Sequence, residues 1–269
     1  MTDLAYGIHA VDVLLRRSPE RIISLSVQID RNDKRIQGLL SLAQNQGVGV
    51  DRVSKADLDA AVAERHQGVV AIIKPRQGTN ALTERDLTDF LAGVTCPLVL
   101  VLDGVTDPHN LGACLRSADA AGVAVVVVPK DNSAELNAVA RKVASGAAEV
   151  IPLVRVTNLA RTLRSLKDLG IWIVGTTGDA DTLVYDQDLS IPTALVMGAE
   201  GPGMRRLTTE ACDFLVKLPM AGDVSSLNVS VATGVCLFEA VRQRRGGEAR
   251  SCLRLCRLRA SQLAGLLEP

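Results

Sequence analysis

Five short apolar runs in the second part of the chain constrain its fold more than any other feature. They span residues 98–103, 123–129, 171–176, 194–198 and 214–219. None keeps the regular alternation of apolar and polar residues that marks a strand with one wet face, so each is predicted to be buried on both faces. Helical spacing lies between them, at 111–121, 135–145, 159–169 and 227–243. This order predicts an α/β domain with a parallel sheet covered by helices.

Residues 1–76 predict a second, smaller α/β unit. Helical spacing occurs at 7–16 and 34–46, and strand patterns occur at 22–29 and 68–75. The sequence then turns polar, which places a linker at 77–96 with a short helix at 82–91. The larger domain is predicted to span 97–245, and a basic tail follows at 246–269.

The charge of the chain is balanced but unevenly spread. Seven of its 30 basic residues and two of its 30 acidic residues lie at position 242 or beyond, so the rest holds 23 basic and 28 acidic residues. Contact with any nucleic acid would therefore depend on local basic patches. Aromatic residues make up 2%, which argues against recognition of single-stranded bases by rows of stacked rings.

Several classes of protein are disfavoured by missing signals. No uncharged apolar run reaches the ~18 residues of a membrane helix, and the first residues lack a signal-peptide pattern. The six Cys form no CxxC pair and four lie in or beside apolar stretches, which predicts free thiols. The three His lie far apart, so no metal is expected. Phosphate-loop, dinucleotide-binding and nucleophile-elbow motifs are also absent. A reducing cytoplasm is the simplest setting.

The first segment with chemical potential runs from 102 to 123. Asp103 ends a predicted strand, and Asn110 stands where a helix begins, as a helix cap or as a site residue. Arg116 follows among apolar residues. It either extends to solvent from an otherwise buried helix or has a function there.

The second segment, 195–207, runs from a buried strand directly into a glycine-rich loop. Gly198 and Gly201 flank Glu200 in this loop. The pattern fits a tight turn before a helix, and it also fits a backbone that approaches a ligand closely. A carboxylate fixed at a strand end favours the second interpretation.

The third segment, 218–243, leads into an apolar helix. Ser225 or Ser226 is predicted to be its N-cap, and the helix is apolar nearly all round and therefore predicted to be buried. Asn228, in the predicted first turn, is either a cap partner or a hydrogen-bond donor to a substrate.

Taken together, these segments resemble the three motifs of the SpoU/TrmH branch of the SPOUT methyltransferases. The corresponding stretches are 110–116, 197–204 and 218–233, in the order the family has them. The resemblance covers residues 98 to about 244 and extends to a short match at 6–11. The tail beyond Arg245 has no counterpart.

The resemblance implies a fold, a cofactor and an assembly. It implies that the C-terminal part of the α/β domain threads a trefoil knot, an exception to the rule that chains avoid knots. The N-terminal unit would be a ribosomal-protein-like RNA-binding domain that docks the substrate. S-adenosylmethionine would sit in the knot, lined by Gly198, Gly201, Leu218 and Leu227, without a metal. Family members are homodimers with an active site completed across the interface.

The activity implied is S-adenosylmethionine-dependent 2′-O-methylation of a guanosine ribose in bacterial 23S ribosomal RNA. Three alternatives stay open. In the first, the methylated nucleotide lies elsewhere in ribosomal RNA or in transfer RNA. In the second, the chain is an inactive RNA-binding or assembly homologue, and in the third it is a nucleotide-dependent α/β enzyme of another class. The lack of phosphate-loop motifs counts against the last.

The resemblance also assigns roles to five residues. Because the methyl donor is already activated, the protein mainly aligns donor and acceptor. By its position in the first motif, Arg116 would act either on the proton of the 2′-hydroxyl or on the phosphate of the nucleotide. An ordinary guanidinium stays protonated, so a positioning role is favoured over that of a base. Asn110 would lie near the 2′-oxygen. Glu200, Ser226 and Asn228 would bind the nucleotide and order the loops.

Overall fold

The computed structural model describes residues 3–62, 66–74 and 82–246. These residues form two compact units. One comprises 3–74 together with 136–150, and the other comprises 82–135 together with 151–246. The beginning of the predicted linker, at 77–81, and the predicted basic tail beyond Gly246 lie outside the described residues.

The N-terminal part of the chain is a small α/β unit, as predicted. Its elements are β1 (Asp3–Tyr6), α1 (Ile8–Arg17), a 3-10 turn (Pro19–Arg21), β2 (Ile22–Gln28), α2 (Lys34–Asn45), β3 (Val50–Val53), α3 (Lys55–Ala61) and β4 (Val69–Ile73). The sheet order is β1-β4-β2-β3, with β4 antiparallel to both neighbours and β2 parallel to β3. Sequence reasoning missed β1, β3 and α3, which have four, four and seven residues.

The rest of the chain alternates strands and helices. In order these are α4 (Leu87–Ala92), β5 (Leu98–Asp103), α5 (Pro108–Ala120), β6 (Val125–Pro129), α6 (Ala138–Ala144), β7 (Leu153–Val156), α7 (Leu159–Asp168), β8 (Trp172–Thr176), β9 (Thr182–Leu183), β10 (Thr193–Gly198), α8 (Arg206–Glu210), β11 (Phe214–Lys217) and α9 (Val229–Gly246). Seven strands form one sheet in the order β7-β6-β5-β10-β8-β11-β9, and the pairs are parallel. The predicted parallel sheet is therefore confirmed, whereas the trefoil knot stays a prediction.

The central strands are buried on both faces, as their continuous apolar sequence predicts. Every residue of β5 and of β6 is buried. Val99 and Val101 share a core cluster with Leu163 and Leu166 of α7. Successive side chains of a strand point to opposite faces. The intervening residue Leu100, which is fully buried, therefore belongs to the other face of the sheet.

The predicted helix at 82–91 is shorter than expected and begins at Leu87. The carboxylate of Asp86 accepts hydrogen bonds from the backbone N–H and the hydroxyl of Thr83, at 3.2 and 2.5 Å. This closes a turn ahead of the helix. Thr and Asp favour such local side-chain bonds over helix, which explains the late start.

The segment 136–150 packs with the N-terminal unit although it lies between β6 and β7. The hydroxyl of Tyr6 donates to the carbonyl oxygen of Ala138 at 3.2 Å. Glu149 is 3% exposed, and its carboxylate pairs with Arg21 at 2.7 Å and also with Arg141. Such pairing is what a buried charge requires. The domain limits at 76 and 97 stay a prediction, and they did not anticipate this packing.

The described cysteines are free thiols. Cys114 and Cys236 are buried, and Cys96 and Cys212 are partly buried. Burial raises the pKa of Cys114 to about 11 and that of Cys236 to about 12. Cys252 and Cys256 lie outside the described residues. Within 3–62, 66–74 and 82–246 no cluster of three or more potential metal ligands occurs, and no helix is long and apolar enough to cross a membrane.

Helix α9 is not buried all round, contrary to the prediction. One side packs against α5 and β10, and Cys236, Leu237 and Ala240 are fully buried there. The other side leaves Val231 and Phe238 about half exposed, at 51% and 50%. The sequence pattern did not reveal this because both sides of the helix are apolar, so composition does not separate the packed side from the open one.

Candidate active site

The site is built at the carboxyl ends of two adjacent strands. Strands β5 and β10 run parallel, and their last residues, Asp103 and Gly198, are partners in the sheet. The loops that follow both strands therefore leave the sheet at the same edge. In open α/β sheets this edge is where ligands bind.

The first of these loops leads into α5, whose start differs from the prediction. Asp107 caps the helix, because its carboxylate accepts a hydrogen bond from the backbone N–H of His109 at 2.9 Å. This bond is the main cause that lowers the pKa of Asp107. Asn110 lies one position beyond His109, inside the first turn. The capping interpretation of Asn110 is therefore wrong, and its side chain is free to contact another loop.

The second loop is a tight glycine turn. Ala199 and Gly203 exchange both backbone hydrogen bonds, each 3.0 Å long. Gly201 and Gly203 have φ values of 83° and 70°, in the left-handed region that glycine enters without a steric penalty. Glu200 is exposed on this turn. The prediction of a tight turn is confirmed. A ligand-binding role is compatible with it, because the turn leaves the Glu200 carboxylate exposed.

Gly198 leaves no space for a side chain. A Cβ at this position would lie 2.4 Å from the carbonyl carbon of Gly203 and 2.4 Å from the nitrogen of Met204. We expect Gly198→Ala to push the glycine turn off the end of β10 and to destabilise the fold by roughly 1–3 kcal/mol. Thermal unfolding and calorimetric titration with S-adenosylmethionine measure the loss of stability and of cofactor affinity.

Gly178→Ala is a matched control. Gly178 is exposed, and no atom lies within 4 Å of the position that an added methyl group would take. We expect an unfolding temperature near that of the parent protein. Equal unfolding temperatures for the Gly198 and Gly178 variants would show that the turn tolerates a side chain and contradict the steric argument.

Helix α9 begins at Val229, directly after Asn228. The Oδ1 of Asn228 accepts hydrogen bonds from the backbone N–H of Ser230 at 2.9 Å and from its hydroxyl at 2.6 Å. Asn228 is therefore the N-cap, and the assignment of that role to Ser225 or Ser226 is wrong. Asn caps helices as well as Ser does, and the two serines lie too far upstream to reach the first turn.

The three motifs meet at one carboxylate oxygen. Glu200 Oε1 accepts hydrogen bonds from Asn110 Nδ2 at 3.2 Å, from Asn228 Nδ2 at 2.5 Å and from the backbone N–H of Val229 at 3.2 Å. Asn228 Nδ2 also donates to Asn110 Oδ1 at 3.0 Å. We call these three side chains the Glu200 network. It ties the start of α5, the glycine turn and the start of α9 together.

Arg116 does not join this network within one chain. It lies on α5 six residues after Asn110, about 9 Å further along the axis and roughly 120° around it. Its side chain is exposed and forms no hydrogen bond or ion pair with any residue that the structure describes. Ser226 is also exposed and has no hydrogen-bond partner in the described part of the chain.

The segment 218–227 offers unused backbone groups. It follows β11, and in the described ranges none of its N–H or carbonyl groups has a hydrogen-bond partner. Leu218 is half-buried, and Leu227 is 38% exposed. Strand β11 lies two positions from β10 in the sheet, about 10 Å away. Free backbone groups beside partly exposed leucines fit a nucleoside cofactor that is held by the main chain.

Sequence reasoning missed an ion pair that anchors the glycine turn. The side chain of Asp103 is fully buried, and its carboxylate accepts hydrogen bonds from the backbone N–H of Arg205 at 2.8 Å and from its Nε at 2.6 Å. The chain just beyond the turn is therefore fixed to the end of β5. An acid that ends an apolar strand was the signal for this role, but the sequence did not identify its partner.

A parallel sheet with motif loops gathered at one strand edge defines an α/β protein with a candidate ligand site at that edge, and comparison with known families specifies which class it is. Residues 97–238 match the SpoU rRNA Methylase family. Residues 4–79 match the family described as RNA 2′-O ribose methyltransferase substrate binding. The chain belongs to the SpoU rRNA methylase family.

Among curated relatives, the chain is similar to the 23S rRNA (guanosine-2′-O-)-methyltransferase RlmB of Haemophilus influenzae. The two are 59% identical over 248 residues, which cover 91% of this chain and 100% of the relative. It is 57% identical to RlmB of Escherichia coli K12 over 245 residues, again 91% of this chain and all of the relative.

Among solved structures, the chain is similar to the SpoU methyltransferase AviRb from Streptomyces viridochromogenes in complex with the cofactor AdoMet. The TM-score is 0.73 at 26% identity, and the match covers 91% of this chain and 92% of that one. An AdoMet-bound rRNA methyltransferase from Sinorhizobium meliloti gives a TM-score of 0.71, also at 26% identity. SpoU methyltransferases thus bind AdoMet, which is S-adenosylmethionine.

Proposed function

We propose that this protein transfers a methyl group from S-adenosylmethionine to the 2′-oxygen of a guanosine ribose in 23S ribosomal RNA. The observation that carries the proposal is the Glu200 network, in which one carboxylate oxygen gathers all three motif loops at the ligand-binding edge of the sheet. The high identity to RlmB proteins over nearly the whole chain supports the same nucleotide.

The residues at this edge fit the cofactor. Gly198, Gly201, Leu218 and Leu227 would hold it, with the free backbone groups of 218–227 as hydrogen-bond partners and the leucines as apolar contacts. When bound, S-adenosylmethionine supplies a methyl group already activated by a sulfonium. The protein itself then has to exclude water and orient the nucleotide.

The side chains around the network have complementary roles toward the nucleotide. Glu200 Oε2 accepts no hydrogen bond from the described residues, so it is available to the nucleotide while Oε1 holds the loops. Asn110 and the exposed hydroxyl of Ser226 provide further polar contacts. Arg116 would hold a nucleotide phosphate with its fork, and its positive charge would stabilise negative charge that develops on the 2′-oxygen.

A second copy of the chain brings Arg116 to the site in this proposal. Helix α5 packs against α9, with Cys114 Sγ 3.5 Å from Thr233 Oγ1, and α9 has an open apolar side. Val231 and Phe238 are seven residues apart there, which is two turns of a helix. Homodimerisation over this side would cover both residues and place Arg116 of the partner subunit near the Glu200 network.

We expect Phe238→Asp to weaken the dimer at least tenfold, because buried aromatic side chains dominate such interfaces and a charge opposes their burial. Multi-angle light scattering at micromolar concentration measures the mass, and methyl transfer should fall with it. Tyr185→Asp, at another exposed aromatic residue, is the control and should stay dimeric. The proposed interface would be contradicted if the parent protein had the mass of a monomer, or if the Phe238 variant had the full mass of a dimer.

The function itself is tested by mapping 2′-O-methyl groups in ribosomal RNA from cells with and without this protein. We expect one guanosine mark of 23S RNA to disappear and to return when the parent gene is restored. If a methyl group disappears from another ribosomal or transfer RNA position instead, that position is the substrate and the 23S guanosine assignment is wrong. If no mark changes and calorimetry shows no S-adenosylmethionine binding, the chain is an inactive homologue. We also propose a cytoplasmic location, because the proposed substrate is ribosomal RNA.

A further inference from the structure

A basic cleft lies beside β7, the outer strand on one side of the larger sheet. It has a volume of about 980 Å³ and is formed by the turn before α4 and the start of α4, the end of β6, the length of β7 and one side of α7. The charged residues in its lining are Glu84, Arg85, Lys130, Arg155 and Arg161. Four positive charges therefore face one negative charge, in a protein whose total charge is balanced. This is the kind of local basic patch that an RNA contact requires.

The single carboxylate is already fully used. Glu84 Oε2 accepts hydrogen bonds from the backbone N–H and the hydroxyl of Thr157, both at 3.0 Å, and Oε1 accepts one from Arg161 at 3.1 Å. The backbone bond of Thr157 is the main cause that lowers the pKa of Glu84. Glu84 thus braces the end of β7 and orients Arg161, and it neutralises only this one of the four cations.

Two of the remaining cations are available to a ligand. Arg155 donates to the carbonyl oxygens of Lys130 and Ala134, so its role is partly structural. The side chains of Arg85 and Lys130 are exposed and have no hydrogen bond or ion pair with residues in the described ranges. The hydrogen bonds from Thr83 are the main causes that lower the pKa of the neighbouring Asp86, and the charge of Arg85 contributes to the same shift. Long flexible cations of this kind suit an anion that arrives from solvent.

One end of the cleft, marked by Lys130 and Thr157, lies at the same edge of the sheet as the Glu200 network. Lys130 directly follows β6, and Thr157 directly follows β7, while Gly198 ends β10. All these strands are parallel, and β7 lies three positions from β10 in the sheet. With strands about 4.8 Å apart, the cleft is roughly 14 Å from the glycine turn. A few nucleotides of RNA span that distance.

We propose that this cleft binds backbone phosphates of the substrate RNA, a few nucleotides from the ribose that is methylated. The proposal rests on the function proposed above. Arg85 and Lys130 make the phosphate contacts, and Arg161 adds positive charge held in place by Glu84. Contacts of this kind position RNA without reading its sequence. They also explain how a chain with few aromatic residues retains its substrate.

The test compares Lys130→Gln and the double variant Arg85→Gln/Lys130→Gln with the parent protein. The dissociation constant for a 23S rRNA transcript is measured over a series of salt concentrations, together with KM and kcat. We expect RNA affinity to fall about 5- to 10-fold for each cation removed, and the salt dependence to flatten by about 0.7–0.9 per lost phosphate contact. Neither kcat at saturating RNA nor the affinity for S-adenosylmethionine should change.

Arg164→Gln is the matched control, since it removes one exposed positive charge from α7 outside the cleft. RNA affinities and salt slopes of the cleft variants that equal those of this control would overturn the proposal. The proposal would also be overturned if adenosine monophosphate bound to the cleft through Lys130 while the RNA affinity of the Lys130 variant stayed unchanged. The cleft would then bind a small anion. Unfolding temperatures check folding. A parent protein that binds but does not methylate the transcript contradicts the proposed function and leaves the cleft measurement valid.

Discussion

Replacement of Arg116 by Ala is expected to slow methyl transfer by about 10²- to 10³-fold, the usual effect of removing one preorganised group that stabilises developing charge. Arg116 lies outside the Glu200 network and outside the segment 218–227, so the affinity for S-adenosylmethionine should persist. Single-turnover kinetics and calorimetry measure the two effects separately. Arg116→Lys keeps the charge but not the fork, so only part of the rate should return.

Mixing two inactive variants tests whether the partner subunit of the proposed dimer supplies Arg116. Arg116→Ala and Asn228→Ala protomers are each expected to be nearly inactive alone. If the site is shared between subunits, random mixing restores about a quarter of the sites, because half of the dimers are mixed and each has one intact site. No recovery on mixing would place Arg116 and Asn228 in the same chain's site. Unchanged turnover of Arg116→Ala would remove this residue from the mechanism, and Arg164→Ala controls for loss of surface charge.

Glu200→Ala is expected to reduce methyl transfer by about 10²-fold and to weaken S-adenosylmethionine binding. It removes the acceptor of three hydrogen bonds, each worth about 1.5–3 kcal/mol when the acceptor is charged and buried. Glu200 is exposed, so solvent reduces the total to roughly 2–3 kcal/mol. The loss should appear in both KM for the cofactor and kcat, since the carboxylate ties the three motif loops together and, in the proposed function, also contacts the nucleotide.

Glu200→Gln separates the two roles of this residue. Its amide oxygen still accepts hydrogen bonds from Asn110 and Asn228, so cofactor affinity should largely return while the rate stays low. Glu210→Ala, which removes an exposed carboxylate from α8, should behave like the parent protein. Equal behaviour of Glu200→Gln and Glu200→Ala toward the cofactor would show that charge rather than the hydrogen-bond network orders the loops.

The sheet could be predicted from the sequence because its central strands are buried on both faces and therefore apolar throughout. The five predicted strands occur with ends shifted by up to two residues. Strands β7 and β9 were missed for the opposite reason. Residues of β7 alternate between buried and half-buried, and β9 has two residues, so neither leaves a continuous apolar run.

The candidate site could be predicted only in part. The motifs named Asn110, Glu200 and Asn228, but the bonds between them join residues 90, 28 and 118 positions apart, which no local pattern encodes. The N-cap of α9 was assigned to the wrong residue, and capping, one of the two interpretations left open for Asn110, was also wrong. Each helix start offers more than one good capping side chain within a few positions, and long-range contacts decide which of them caps. The Asp103–Arg205 pair depends on such a contact too.

The buried Glu149 carboxylate decides how this protein can be dissected. The two family matches end at 79 and begin at 97, as if one cut between them would release two independent folding units. A fragment ending there would keep Arg21, whose side chain is 12% exposed, but would lose the acid that neutralises it. The same cut would also remove the contact between the Tyr6 hydroxyl and the carbonyl oxygen of Ala138. The shorter match therefore leaves out part of its own compact unit, and residues 136–150 are expected to be needed for the full stability of an excised N-terminal unit.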